Sequence, residues 1–285
     1  MPSSRAAAWV AYIDEFTWQP GKLPLSTPIE AAGMVAAYLV LIFGLQAYLS
    51  GKPKLSAAGE KQLARLMGWH NLALSGTSLA MFVGTLWGSM TRYQRDGGSA
   101  KFLFCESREE AKWVGALPFW AYVYYLSKFW EFGDTVFNVL KRKELDFLHV
   151  YHHALVVLMC YLWLETHQSL QQMGQMANCL VHVFMYYYYY RSQFTKERPW
   201  WKPVVTNGQI LQFQMSFVLC SGLLYYQYAA APAGAKLDAM IGVNDELCMG
   251  YRAFLYNICF NLSLLYLFSA FKKKTYGADK AKKVK

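Results

Sequence analysis

Residues 29–50 read IEAAGMVAAYLVLIFGLQAYLS. A bilayer's hydrocarbon core takes about 20 apolar residues to cross as a helix, and this stretch supplies them. Six more stretches of the same kind follow. They are Leu66–Met90, Trp113–Leu140, Phe147–Leu164, Met173–Tyr190, Pro203–Tyr228 and Leu247–Phe271. The chain therefore reads as an all-α integral membrane protein with seven transmembrane helices. A five-span alternative would drop the second stretch, which carries His70 and Asn71, and the third, which carries Lys128, Glu131 and Asp134. On the seven-span reading, residues 1–28 form a non-cytosolic N-terminal segment, 29–271 the transmembrane domain and 272–285 a cytosolic Lys-rich tail.

Composition agrees with a membrane protein without proving one. Of 285 residues, 55% are hydrophobic, 17% aromatic and only 16% charged, against about 25% charged in an ordinary soluble domain. A disordered chain, a collagen-like chain and a disulfide-stapled mini-protein are excluded. Mean hydropathy is only +0.12, so the distribution along the chain decides.

The connections between spans carry the topology. Eighteen Lys and Arg fall in the loops 51–65, 141–146 and 191–202 and in the tail, against eight in the remaining connections and the N-terminal segment. Basic residues concentrate on the cytosolic side, which puts the N-terminus outside the cytosol and the C-terminus inside. The net charge of +10 is thus a topology signal and an attraction to anionic lipid, and nucleic acid is not an expected partner. Residues 1–28 lack the apolar core of a cleavable signal peptide. The six Cys form no CxxC pair and no spaced framework, so they read as small apolar filler rather than as a metal site or disulfide scaffold.

Charged groups inside a membrane are functional candidates by default, and here they cluster. Lys128, Glu131, Asp134 and Thr135 lie three or four residues apart in the third span, on adjoining parts of one helical face. They could form an ion pair that locks packing, or position a ligand. His149, His152 and His153 stand at i, i+3 and i+4 in the fourth span. Asn178 and His182 follow four apart in the fifth, with Met185 and Tyr186 beyond; Thr206, Gln209 and Gln212 open the sixth. Counting helical rise from the nearest cytosolic Lys or Arg puts His152 and His182 each roughly 13 Å deep, Glu131 and Asp134 roughly 10–15 Å, and Gln209 roughly 10 Å. Four helices thus place polar residues in one layer near the cytosolic face. His70 is ambiguous, and His167 reads as a solvated turn residue.

Two chemistries compete for such a layer. Imidazoles ligate iron or zinc, as a membrane desaturase or hydroxylase would require, but only six His are present in all and no Glu-x-x-His pair accompanies them. Metal-free acyl transfer needs fewer. One imidazole attacks a thioester, a second moves protons, and amides such as Asn178 and Gln209 stabilise an oxyanion. Cys179 is a conceivable thiol nucleophile. A seven-span transporter or receptor would share the topology, but the internal repeats expected of a transporter are not evident.

The motifs Lys128-Phe-Trp-Glu131-Phe-Gly-Asp134-Thr135, His149-Val-Tyr-His152-His153, Asn178-Cys-Leu-Val-His182-Val-Phe-Met185-Tyr186 with Tyr188 and Tyr189, and Thr206-Asn-Gly-Gln209-Ile-Leu-Gln212-Phe213 occur in that order. In this the chain resembles the ELO-type fatty-acid elongases, the 3-oxoacyl-CoA synthases of the endoplasmic reticulum that act on very-long-chain and polyunsaturated acyl groups. The resemblance implies seven helices, six of them forming a barrel around an acyl tunnel. It implies condensation of acyl-CoA with malonyl-CoA to 3-oxoacyl-CoA, CO2 and CoA, with no cofactor and no metal. His152 would be the nucleophile, His182 the proton-transfer or enolate-stabilising group, and His149 and His153 would orient the site. Lys128, Glu131 and Asp134 would buttress it or contact CoA, within the support set of Thr135, Asn178, Met185, Tyr186, Thr206, Gln209 and Gln212. Lys141, Arg142, Lys143, Arg191, Lys196, Arg198 and Lys202 would attract CoA phosphates, unless they are solvated topology signals. Tyr151 resembles members acting on polyunsaturated chains, which more often have Tyr there than Phe. The closed tunnel end is expected near Cys220–Tyr228 and Leu247–Tyr256, including Arg252. Lys282-Lys283-Val284-Lys285 resembles a dilysine retrieval signal. Membrane lipid, other elongation enzymes of the endoplasmic reticulum and a second copy of the chain are the candidate partners.

Overall fold

The computed structural model describes residues 4–107, 110–111, 113–195, 199–229 and 247–283, with side chains described over residues 7–275 of these. Lys196 and Arg198 lie outside the described residues, as do Val284 and Lys285.

Local signals start the helices where they should. Thr27 caps α2 (Pro28–Ser50) through a capping box with Glu30, and Pro28 occupies the first turn, where its missing N–H costs nothing. Ser56 caps α3 (Ala57–Arg95) by accepting from Gly59 N–H. Asp146 caps α5 (Phe147–Glu165) by accepting from Leu148 N–H. The remaining helices are α1 (Ser4–Asp14), α4 (Ala116–Leu140), α6 (Gln171–Phe194), α7 (Lys202–Leu224) and α8 (Tyr251–Lys283). A π-helical stretch, Tyr225–Ala229, continues α7.

The all-α class stands, but two parts of the expected architecture need correction. Among the described residues four helical stretches, not seven, are long and apolar enough to cross a membrane: Pro28–Ser50, Ala57–Arg95, Phe147–Glu165 and Tyr251–Thr275. The other three long helices spend sequence on an inward polar face: Lys128, Glu131 and Thr135 on α4, Gln171, Gln175, Asn178 and His182 on α6, and Thr206 on α7. Nor do six helices form a barrel. The described residues contain no β-strand, only an isolated bridge between Thr17 and Val114, and the helices pack as a bundle. Within it α3 lies against α4 and α6, α5 against α4 and α8, and α7 against α6 and α8. The exposed faces are rich in Val, Leu, Phe and Trp, as a multi-pass membrane protein requires.

Several boundaries move. The second predicted span is part of a 39-residue helix, roughly 58 Å long, which outruns the hydrocarbon core at its ends. The last span begins at Tyr251, after a turn through Gly250. The Lys-rich tail is helical as far as Lys283.

The cysteines need a further correction. Cys105 and Cys248 form a disulfide across 143 residues of sequence, so two of the six are covalent structure rather than filler. The bond joins two connections, and hydrogen bonds tie in a third. Met249 N–H donates to Glu106 O at 2.8 Å, and Ser169 N–H to Met249 O at 3.1 Å. Glu106 N–H donates to Ser169 Oγ at 3.2 Å. Beneath them sits an apolar cluster of Leu170, Cys220, Leu223, Tyr251 and Phe254. Arg252, expected at a tunnel end, is exposed instead. His167, read as solvated, lies half-buried with its ring 5.2 Å from that of Trp113.

Candidate active site

The four polar motifs meet at one end of the bundle. A cavity of about 210 Å³ is lined by Glu131 and Asp134 of α4, His149, His152 and His153 of α5, Asn178, His182, Met185 and Tyr186 of α6, and Gln209 and Gln212 of α7. A second cavity, of about 70 Å³, shares His152, Asn178, Gln212 and Phe213 with the first. It runs down between Val156, Met159 and Trp163 to Leu170 and Cys220. The two form a polar chamber with an apolar extension, and His152 stands at the join.

On α4, Lys128 and Glu131 are almost wholly buried, one turn apart, and bonded at 2.8 Å. Such a pair survives burial only when its remaining valences are satisfied. Lys128 Nζ also donates to Asn178 Oδ1 at 3.3 Å and sits 4.0 Å above the Tyr124 ring. Tyr124 O–H donates to the same Asn178 oxygen at 2.9 Å. With two donors on Oδ1, the Asn178 amide is fixed with its NH2 left for the cavity it lines. Glu131 Oε1 lies 3.6 Å from His182 Nδ1, so the carboxylate orients that imidazole.

A second network surrounds Asp134. His70 Nε2 lies 3.0 Å from Asp134 Oδ1, and Tyr186 O–H donates to Oδ2 at 2.8 Å. The His70 ring fits because residue 133 is Gly: a Cβ there would come within 2.8 Å of His70 Cε1. Thr135 takes part in two 2.9 Å contacts, with Tyr38 O–H and His149 Nε2. The His149 and His153 rings are 4.4 Å apart, and those of His152 and His153 are 5.5 Å apart. His152 stacks on Phe260 of α8 at 6.2 Å. The Nδ1 atoms of His152 and His153, and Gln212 Oε1, are buried with no hydrogen-bond partner among the described residues. Gln209 Nε2 reaches Met185 Sδ at 3.2 Å, and Thr206 is buried on the same helix.

His70, Tyr38 and Tyr124 escaped the sequence reading as site residues. Tyr38 and His70 are single polar groups on long apolar helices with no partner at helical spacing, and Tyr124, though four residues before Lys128, reads as one more aromatic in an aromatic-rich stretch. The basic loops divide. The Arg142 guanidinium is spent on carbonyls, bonding Leu49 O, Lys52 O and Pro53 O at the end of α2. Lys141 Nζ donates to Gln193 Oε1 at 2.7 Å, Arg191 lies 5.6 Å over the Trp201 ring, and Lys143 is exposed. Lys202 is half-buried at the start of α7. Cys179 is buried but does not line the chamber. Among the described residues no group of three or more His, Cys, Asp or Glu is placed to hold a metal ion.

With this geometry in hand, comparison with known proteins places the chain. The profile of the ELO (GNS1/SUR4) family matches residues 23–284. Fatty acid elongase A of Dictyostelium discoideum is 31% identical over 268 residues, 94% of this chain and 90% of that protein. Fatty acid elongase sre1 of the same organism is 33% identical over 208 residues, covering 72% and 74%. Very long chain fatty acid elongase 2 of Mus musculus is 32% identical over 194 residues, covering 64% and 60%.

Proposed function

This chain belongs to the ELO (GNS1/SUR4) family, and from that membership we propose that it is a fatty-acid elongase, condensing a long-chain, polyunsaturated acyl-CoA with malonyl-CoA. The products are 3-oxoacyl-CoA, CO2 and CoA. The observation that carries the reading is the join of the two cavities at His152, with His182 and the Asn178 amide on the same chamber wall.

In this reading the acyl tail lies in the apolar extension and its thioester carbonyl rests at His152. The imidazole attacks the carbonyl, the C–S bond breaks, and CoA leaves as a thiolate that takes a proton. The acyl group is held on nitrogen. Asn178 NH2 donates to the oxyanion of each tetrahedral state. Malonyl-CoA then loses CO2, and the resulting enolate attacks the acyl carbon. A carbon–carbon bond forms as the C–N bond breaks, and His152 is regenerated. His182, oriented by Glu131, passes the proton released by His152 to the departing thiolate, and a proton taken up from solvent returns to His152 when the C–N bond breaks. His149 and His153 hold the array, and Lys128 stays as the buried counter-ion of Glu131. The low-dielectric chamber strengthens these contacts and slows hydrolysis of the acyl-imidazole. Lys143, Arg191 at the end of α6 and Lys202 at the start of α7 would draw in CoA phosphates.

The membrane reading extends to orientation. The disulfide belongs on an oxidising side, and the basic loops on the other. Together they favour an endoplasmic reticulum protein with a lumenal N-terminus and a cytosolic tail. Tyr151, held at 2.8 Å from Ser263 Oγ, supports the polyunsaturated preference through the family resemblance alone. The test is product analysis after incubating the purified chain with radiolabelled malonyl-CoA and a panel of acyl-CoAs. A 3-oxoacyl-CoA two carbons longer than the acyl substrate is expected, with chelator present. Loss of activity in chelator with recovery on adding iron would overturn the reading.

A further inference from the structure

The mechanism leaves His70 without a duty. It sits on α3 five residues past the exposed Arg65, roughly 7.5 Å further along the helix. It does not line the chamber, but its partner Asp134 does. His70 Nε2 lies 3.0 Å from Asp134 Oδ1. An ionised carboxylate only accepts, so Nε2 carries the proton between them. Tyr186 O–H donates to the other oxygen at 2.8 Å. The carboxylate is thus fixed in the chamber wall with an imidazole behind it, and 11% of the His70 side chain reaches the surface.

Packing is a poor account of the pair. The rings of Trp130 and Phe137 flank His70 at 6.0 and 5.1 Å. An apolar ring would fill that setting without taking two polar groups out of water. The condensation supplies a use for them. Acyl-CoA, the malonyl-CoA carboxylate and one proton give 3-oxoacyl-CoA, CO2 and the CoA thiol, so every turnover takes up a proton. The uptake belongs to the second half of the reaction, when the C–N bond breaks and the His152 nitrogen must be reprotonated. The exposed Asp146 and Phe271 mark where the chamber opens. On the elongase reading, malonyl-CoA fills that mouth during this half and holds bulk water back. His70 approaches from α3, which contributes nothing to the chamber lining.

We propose that His70 and Asp134 carry in the proton that each condensation consumes, by a side entrance separate from the mouth that CoA occupies. The His70 imidazolium gives its Nε2 proton to Asp134 Oδ1. Asp134 passes it to the nitrogen of His152 as the acyl group departs, through water in the chamber, whose volume of about 210 Å³ has room for several such molecules. His70 then takes a replacement proton from water at the surface. One proton has crossed, and both groups are as they began. Tyr186 keeps the carboxylate in place throughout. His70 touches no reacting atom; it is a positioning residue that acts through Asp134. The assignment rests on the elongase reading above, and deepens it from the bonds that are made to the proton they require.

The experiment separates the two halves of the reaction in the full-length chain. The kcat/KM for acyl-CoA reports the first half and the kcat/KM for malonyl-CoA the second. His70→Gln keeps an N–H for Asp134 but neither releases nor takes up a proton at neutral pH. It should lower kcat/KM for malonyl-CoA by roughly a hundredfold and leave that for acyl-CoA within about twofold. It should also enlarge the solvent deuterium isotope effect on the second half alone. His70→Ala keeps the test open should His70→Gln fold poorly. Imidazole added to the buffer should restore its second half, whereas pyrazole, of the same shape but too weak a base to carry a proton, should not. Equal losses in both halves, or equal restoration by the two additives, would make His70 a packing residue. An unchanged second half in both variants would mean that the proton enters by the mouth. Any of these results overturns the side entrance and leaves the elongase reading intact. A wild type that makes no 3-oxoacyl-CoA from any acyl-CoA removes the elongase reading itself, and the inference with it.

Discussion

His152 is set apart from its neighbours by what surrounds it. One face stacks on Phe260, Nδ1 is buried without a partner among the described residues, and the ring lines both cavities. His182 is instead held by a carboxylate. The two should therefore fail differently. His152→Ala should abolish a covalent acyl adduct detected by mass spectrometry after incubation with acyl-CoA. His182→Ala should keep the adduct and lower condensation by about 10²–10⁴-fold. An adduct surviving on Cys179 in the first variant would refute the assignment. Glu131 has a structural duty as well. Glu131→Gln leaves Lys128 buried beside a neutral amide, a loss expected to cost about 3–5 kcal/mol and visible in thermal unfolding. Pairing it with Lys128→Met should restore much of the stability without restoring turnover. This layer of residues was legible in the sequence because its members sit three or four apart on their helices. The partners Tyr38 and His70 were not, since each meets the layer only through the packing of α2 or α3 on α4, and Tyr124, although at helical spacing from Lys128, shows its role only through its bond to Asn178 on another helix.

Among the elements, helix positions followed from the apolar runs, whereas the number of membrane-crossing helices did not. α4, α6 and α7 interleave site residues with lipid-facing ones, which lowers their hydropathy while leaving them helical. The connections were the least legible part, and they carry a titratable group of consequence. Glu106 lies in the loop that pairs with Arg92 and meets Met249. Burial holds its carboxyl above the ordinary value of 4.5, against the opposing pull of Arg92; Asp96 and Glu110 add to the rise. The folded protein thus binds this proton more readily than the unfolded chain. The contribution to stability is full below 4.5 and is lost as pH climbs through the folded value. Unfolding midpoints measured across that range should fall in the wild type and fall less in Glu106→Gln. Equal slopes in the two proteins would show that another group controls the loop.

For the whole molecule, the Cys105–Cys248 disulfide covalently ties residues 143 apart in the sequence. Nothing in cysteine spacing announced it, because it joins connections that only the bundle brings together. Closing so long a loop should contribute about 2–4 kcal/mol. Reduction, or a Cys105→Ser and Cys248→Ser pair, should lower the unfolding midpoint accordingly, and an unchanged midpoint would mean the loops hold without it. The bond also bears on traffic. With the backbone bonds beside it, the disulfide holds three connections over Leu170 and Cys220 at the lower end of the second cavity. On the elongase reading, a chain lengthened in a cavity covered at that end would leave by the path along which the shorter one arrived, and the two would compete for it.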